Sequence, residues 1–126
     1  MIPAGNPADG DIVGFDAPED VASLAVERGW AKSSDVMLKR IGAMSGECYE
    51  LDAERGFYVG GRYLGQALAQ DGYGRALPQL SDGQYIVEDG RFLPVAENPL
   101  SFDGRYYGTV PLNSIRFKAI KLNPFS

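Results

Sequence analysis

The sequence predicts a mainly β fold, a sandwich or partly closed barrel, with one short helix near the N-terminus. Three observations predict it. Gly 16 and Pro 8 together make about a fifth of the 126 residues and are spread along the chain rather than gathered in a linker. Apolar runs are short and are separated by turn residues every ~8–12 positions, the spacing of strands in small β domains. A single segment carries confident helical spacing. No fixed-period repeat, low-complexity tract or composition break divides the chain, so residues 1–126 read as one domain.

Each element has a local reason. Pro7-Ala8-Asp9-Gly10 is a turn that leads into a short strand, Asp11-Ile12-Val13-Gly14-Phe15. Asp16-Ala17-Pro18-Glu19-Asp20 then starts the helix: proline suits the first turn and the acids suit the positive end of the dipole. Val21, Leu24, Ala25 and Arg28 come next at helical spacing, and Gly29 stops the helix just past its end. Residues 36–44 (Val-Met-Leu-Lys-Arg-Ile-Gly-Ala-Met) form the most apolar strand candidate. Residues 47–51 and 57–59 continue as strands, and Gly60-Gly61 turns the chain into a strand from Arg62. The stretch from Gln66 to Leu80 is rich in Gly, Ala and Asp and reads as a long excursion. Residues 84–87 and 91–95 form a hairpin about Asp89-Gly90. Residues 104–110 and 115–122 supply the last strands.

Composition removes whole classes of chemistry. The chain has no histidine and one cysteine. A Ser-His-Asp triad, a Cys-His dyad and an imidazole metal site are therefore impossible, as are an internal disulfide and a thiolate zinc cage. Acid-base work falls to Lys, Asp, Glu or Tyr. Twelve basic against 17 acidic residues give a net charge of −5, which argues against a nucleic-acid partner that needs a basic face. No apolar stretch approaches the ~20 residues that span a bilayer, and the first residues lack the basic and apolar regions of a signal peptide. The sequence as it stands reads as soluble.

Strand alternation places Met37, Lys39 and Ile41 on one face and Val36, Leu38 and Arg40 on the other. Both faces carry large apolar side chains, so the strand is expected to be covered on both. A lysine set between Met37 and Ile41 is pushed toward its neutral form by burial, and a neutral amine is a competent general base. Alternation alone does not separate this from a lysine that snorkels to solvent.

A second segment does. Lys39-Arg40-Ile41-Gly42-Ala43-Met44-Ser45-Gly46-Glu47 and Ser101-Phe102-Asp103-Gly104-Arg105-Tyr106-Tyr107-Gly108 together resemble the signature pair of the type I signal peptidases, the S26 serine peptidases. In that family a K-R-V-x-A-x-P-G-D box carries the lysine base and a later S-x-D-S-R-x-x-G box supports it. Gly10-Asp11-Ile12-Val13 resembles the family's G-D-x-V strand. Asp71-Gly72-Tyr73-Gly74-Arg75-Ala76-Leu77-Pro78, and the opening Asn98-Pro99-Leu100 of the later box, resemble the conjugative-transfer branch, the TraF type. The four boxes come in the right order, and the resemblance runs over nearly the whole chain, from Gly10 to the end.

The resemblance implies a signal-peptidase or LexA-like β-barrel or folded sheet and a Ser/Lys dyad, with no cofactor and no metal. Lys39 occupies the position of the general base. Ser101 occupies the position whose hydroxyl orients the lysine amine. Asp103 and Arg105 occupy the positions of a structural ion pair that braces the site. The implied partners are signal-peptide or prepilin-like substrates. The implied location is the inner or cytoplasmic membrane, reached through an N-terminal anchor, with the catalytic domain facing the periplasm or cell exterior.

Departures from the family pattern carry their own expectations. Gly104 stands where the family commonly has serine, a small-for-small change expected to be tolerated. Ser45 and Glu47 replace the Pro and Asp of P-G-D, which keeps an acid. Cys48, beside that turn, is expected to be a small buried apolar residue. The family's nucleophile lies in a Ser-Met/Leu-Pro motif before G-D-x-V, and no serine here precedes Ser23. Ser23 falls in the helix, Ser33 and Ser34 in a polar loop and Ser45 in a turn, and none is followed by proline. The expectation is a catalytic domain whose nucleophile and anchor lie outside this sequence, inactive by itself. The other expectation is a pseudo-peptidase that binds extended peptides or a transfer-apparatus protein. The self-cleaving repressors share the dyad, but they carry a DNA-binding domain for which this sequence has no counterpart.

Overall fold

The computed structural model describes residues 6–32, 36–96 and 101–119. Among the described residues nine strands form two antiparallel sheets. The first contains β1 (Ile12–Phe15), β2 (Met37–Met44), β7 (Arg91–Val95), β8 (Val110–Pro111) and β9 (Ile115–Ala119), in the order β8-β7-β2-β1-β9. The second contains β3 (Cys48–Leu51), β4 (Gly56–Val59), β5 (Arg62–Gln66) and β6 (Gly83–Ile86), in the order β5-β4-β3-β6. The fold is mainly β as expected, and neither sheet closes into a barrel.

The helix α1 (Glu19–Glu27) lies where the acid-rich start and Gly29 place it. Its end is a Schellman motif: the Gly29 amide donates to the Val26 carbonyl and the Trp30 amide to the Ala25 carbonyl, at 3.1 and 2.8 Å. Gly29 takes φ +79, a value that favours glycine there and fixes the direction in which Trp30 leaves the helix. Val21 and Ala25 form the buried stripe of α1.

Two apolar clusters hold the sheets. The larger takes inward residues of both sheets, among them Leu51, Phe57, Val87 and Leu93, together with Val21, Phe102 and Tyr106. The smaller joins Val13, Phe15, Ile41, Phe92 and Val110 within the first sheet, with Phe15 and Phe92 meeting edge to face at 5.4 Å. Pro94 lies inside β7, which pairs with the central strand β2, and a missing N–H there can cost a ladder bond. The register shifts between Ile41 and Ala43, opposite Pro94, and this bulge accommodates it.

Three expectations are corrected. Residues 104–110 are not one strand. Gly104–Tyr107 forms a single helical turn, α2, followed by the two-residue β8. Phe102, Asp103, Gly104, Arg105 and Tyr106 are all buried, and a half-buried strand cannot bury five residues in succession. The Asp103 carboxylate caps the turn by accepting from the Arg105 amide. The strand carrying Lys39 is covered on one face only: Ile41 is buried, but Leu38 on the opposite face is 53% exposed. Cys48 is exposed rather than buried. Tyr49 and Leu51 take the inner face of β3, so alternation sends Cys48 outward, opposite the exposed Ile86 of β6. The last strand is described as far as Ala119, and the expected residues 120–122 lie outside the described residues.

Candidate active site

Antiparallel pairing of β1 with β2 brings the Gly10–Val13 segment beside the lysine box. Val13 lies opposite Lys39. The Gly10 amide donates to the Ile41 carbonyl at 2.9 Å, the Ile41 amide to the Asp11 carbonyl at 2.8 Å, and the Arg40 guanidinium to the Gly10 carbonyl at 2.7 Å. Arg40 is thus turned away from the Lys39 face and locks the two segments together.

Lys39 and Ser101 line one cleft of about 450 Å3. Its floor and walls include Met37 from β2, Ala25 and Trp30 from the end of α1, Leu68 and Leu77 from the excursion, and Phe102. Burial pushes the Lys39 amine below the ordinary lysine range. The Asp103 carboxylate pulls it partly back, and the Arg105 guanidinium lowers it further. Among the described residues no ion pair ends on this amine. A lysine of this kind has a larger neutral fraction at a given pH than a solvated one, as a general base requires.

Asp103 and Arg105 are fully buried and paired through two contacts, Nε to Oδ1 at 2.8 Å and Nη2 to Oδ2 at 3.1 Å. The remaining valences of the pair are spent on backbone. Asp103 accepts from the Ala96 amide at 2.8 Å, and Arg105 donates to the Ala96 carbonyl at 3.2 Å and the Gln66 carbonyl at 3.1 Å. The guanidinium also lies over the Phe57 ring, 5.0 Å from its centroid. One buried pair therefore ties the end of β7, the turn α2 and the start of the excursion together. Tyr106 adds a fourth tie, its hydroxyl accepting from the Leu68 amide at 3.0 Å. Behind the cleft the Tyr107 hydroxyl lies 3.9 Å from the Met37 sulfur, and burial pushes that phenol well up.

Gly104 is held closer than serine allows. A Cβ there would come within 2.6 Å of Leu93 Cδ1 and 2.7 Å of the Pro94 carbonyl oxygen. The glycine is a packing requirement of α2 against β7, so the family's commoner serine would not fit here without a shift.

The excursion is more ordered than its composition suggests. Gln70 and Ala76 form an isolated bridge. The Asp71 carboxylate accepts from the amides of Tyr73 and Arg75, at 2.9 and 3.0 Å. It also pairs with Arg75 at 2.8 Å and with Arg28 of α1 at 3.0 Å. Burial alone would raise the Asp71 carboxyl, but these amide and guanidinium donors outweigh it and hold it below its ordinary value. Arg28 donates besides to the Ala76 carbonyl at 2.7 Å. Sequence reasoning missed Arg28 and Trp30 as parts of the site. The signal for both was their place at the helix stop, where Gly29 sets the path of the chain.

Neither Ser23 nor Ser45 lines this cleft. Ser23 is exposed on α1, and the Ser45 hydroxyl donates to Asp89. Ser33 and Ser34 lie outside the described residues, as do Asn98, Pro99 and Leu100. Glu47, the acid of the lysine box, accepts from the Met44 amide at 2.8 Å and faces Asp9, whose carboxyl is raised to about 6 by burial and by a hydrogen bond and repulsion from Glu47. Among the described residues no helix is long and apolar enough to cross a membrane.

Comparison with known proteins bears on the fold and the family. No curated protein is similar enough to match the chain. Among solved structures the chain is similar to a signal peptidase I from Enterococcus faecalis V583, with a TM-score of 0.54 at 20% identity, over 95% of this chain and 100% of that one. That likeness shows a shared fold. The family model described as signal peptidase, peptidase S26 matches residues 2–121, nearly the whole of the sequence, and the chain belongs to the S26 signal peptidase family.

Proposed function

We propose that this chain is the catalytic domain of a membrane-anchored serine endopeptidase of the conjugative-transfer branch, which removes signal or prepilin-type segments from exported proteins. The observation that carries the reading is a lysine depressed by burial in the same cleft as Ser101. In this reading a serine supplied ahead of Gly10 attacks the scissile carbonyl. Lys39 Nζ takes the hydroxyl proton and returns it to the departing amine, and water then hydrolyses the serine ester. Ser101 orients the amine, and the Asp103–Arg105 pair braces the box without taking part in proton transfer. The substrate lies extended along a strand edge, as strand addition to a sheet allows.

The test uses the chain together with whatever precedes Met1 in its reading frame, assayed in membranes on a signal-peptide substrate. Lys39→Ala should lower kcat/KM by about 10²–10⁴-fold, the usual contribution of a general base. The wild-type rate should rise with pH along a limb that lies below the ordinary lysine range. Equal activity with and without Lys39 overturns the assignment. A reading frame that starts at Met1, with peptide binding but no cleavage, would favour a peptide-binding relative over an enzyme.

A further inference from the structure

A second groove, of about 670 Å3, follows the Lys39 cleft along β2. Residues 36–39 line the cleft, and residues 40–42, the next three along the chain, line the groove. At about 3.3 Å per residue the groove starts one residue from the lysine and reaches about 10 Å beyond it. One wall belongs to the first sheet and holds Asp9 and Arg40. The other is the β4–β5 hairpin and holds Arg62 and Tyr63. Gly60 and Gly61 turn that hairpin at φ +58 and +82, the left-handed values a two-residue turn needs, and the register sets Arg62 opposite Val59. Arg62 is exposed, and among the described residues its guanidinium enters no ion pair. Arg40 is held on the facing wall by its bond to the Gly10 carbonyl at 2.7 Å. The one carboxylate in the lining, Asp9, is hydrogen-bonded to Glu47. Cations therefore outnumber acids in this groove, although the chain as a whole carries a net charge of −5.

We infer that this groove binds an acidic stretch of peptide, the part of the substrate on the departing-amine side of the scissile bond, with Arg62 as the residue that selects it. The inference rests on the proposed peptidase reading and deepens it. Three observations carry it. The first is continuity. Past Lys39 both flanks of β2 are taken, by the segment leading into β1 on one side and on the other by β7, which pairs from Arg40 onward. An extended peptide lying along the first half of β2 must leave the sheet at the end of β7, and Val95 and Ala96 at that end line the groove. The second is contrast. The cleft is lined mainly by apolar side chains, as suits a signal segment, whereas the groove is cationic, so the two fit opposite sides of one cleavage point. The third is chemistry. A guanidinium donates two parallel hydrogen bonds to a carboxylate, and the neighbouring Tyr63 ring, 55% exposed, offers the peptide an apolar surface.

The probes are acetylated, amidated hexapeptides of alanine carrying Asp-Glu, Asn-Gln or Lys-Lys at the centre, titrated by calorimetry into the 126-residue chain. The Asp-Glu peptide should bind about tenfold more tightly than the Asn-Gln peptide, the gain expected of one charge-assisted pair. The Lys-Lys peptide should bind most weakly, and added salt should narrow the ranking. Arg62→Gln should bring the Asp-Glu peptide to the level of the Asn-Gln peptide with an unchanged thermal transition, since that side chain is exposed. Asp9→Asn, which removes the opposing charge, should tighten the Asp-Glu peptide. Arg116→Gln, which removes an equal charge on β9 outside the lining, should leave every probe as it was. Equal binding of the Asp-Glu and Asn-Gln peptides, an equal loss in the Arg62 and Arg116 variants, or no binding of any probe at millimolar concentration overturns the inference. So does Arg62-dependent binding to phosphatidylglycerol vesicles without a peptide preference, which assigns the groove to a membrane surface instead. Lys39→Ala separates the two claims. Cleavage that survives it in the membrane assay, with the Asp-Glu preference intact, removes the dyad and leaves the groove. Cleavage abolished by it, with equal binding of the acidic and amide peptides, removes the groove and leaves the dyad.

Discussion

Lys39 illustrates how a single strand position can favour a weak base at a cost to stability. Its amine is depressed chiefly by burial, so the folded state binds this proton less readily than the unfolded chain does. Below the lowered pKa the ammonium is retained in both states and the folded state carries the full desolvation penalty. As pH rises from that lowered value toward the ordinary lysine value of about 10.4, the unfolded chain holds more protons and folding stability rises. Lys39→Met keeps the apolar stem and removes the charge. It should therefore raise the urea midpoint at neutral pH, and the gap from wild type should close through the same alkaline window. A gap that is unchanged from pH 7 to pH 10.5 would mean the amine is solvated in the folded state. The sequence made this residue legible because Met37 and Ile41 flank it at strand spacing. It did not show that Leu38 on the other face is exposed, since alternation reports which residues share a face and not what covers each face.

At the scale of elements, the turn α2 shows where pattern reading fails and why. Phe102 to Tyr106 alternates in neither period, and the segment is held by a buried charge pair and by close backbone contact with β7 rather than by an apolar stripe. Those are tertiary causes, invisible in local spacing. The helix α1, the hairpin glycines and β2 were legible because turn chemistry and periodicity are local. Lys39 and Ser101, 62 positions apart by their numbers, were connected only through the resemblance, and the ordering of the excursion by Arg28 and Asp71 could not be read at all. Gly104 gives the element-scale prediction. Gly104→Ser restores the family's commoner residue but drives a Cβ into Leu93 and the Pro94 carbonyl. Overpacking of this kind costs about 1–3 kcal/mol, so the variant should unfold at lower urea with an unchanged slope. An unchanged midpoint would show that α2 can move off β7 freely.

Across the whole molecule, the two sheets and the excursion meet at one charged pair in an otherwise apolar interior. Asp103 and Arg105 have no exposed surface, and between them they hold the Ala96 amide, the Ala96 carbonyl and the Gln66 carbonyl. Burial of two ions is expensive and their attraction offsets it only while the pair is intact. Asp103→Asn should therefore cost about 3–5 kcal/mol, because it strands a guanidinium away from water, and Arg105→Met should cost a similar amount by stranding the carboxylate. The double variant Asp103→Asn/Arg105→Met strands no charge and should be less destabilised than the sum of the two. The shortfall measures their coupling, read from urea unfolding of the four proteins in a double-mutant cycle. Activity should obey a different rule. Lys39 feels Asp103 as a pull toward its charged form and Arg105 as a push away from it, so the double variant loses both influences while keeping the burial that dominates. With the fold recovered, the pH limb of cleavage should stay below the ordinary lysine range, and only the placement of Ser101 should suffer. Strict additivity of the two single losses would instead mean that the residues act as separate packing groups, and the brace would then be the backbone of α2 rather than its charges.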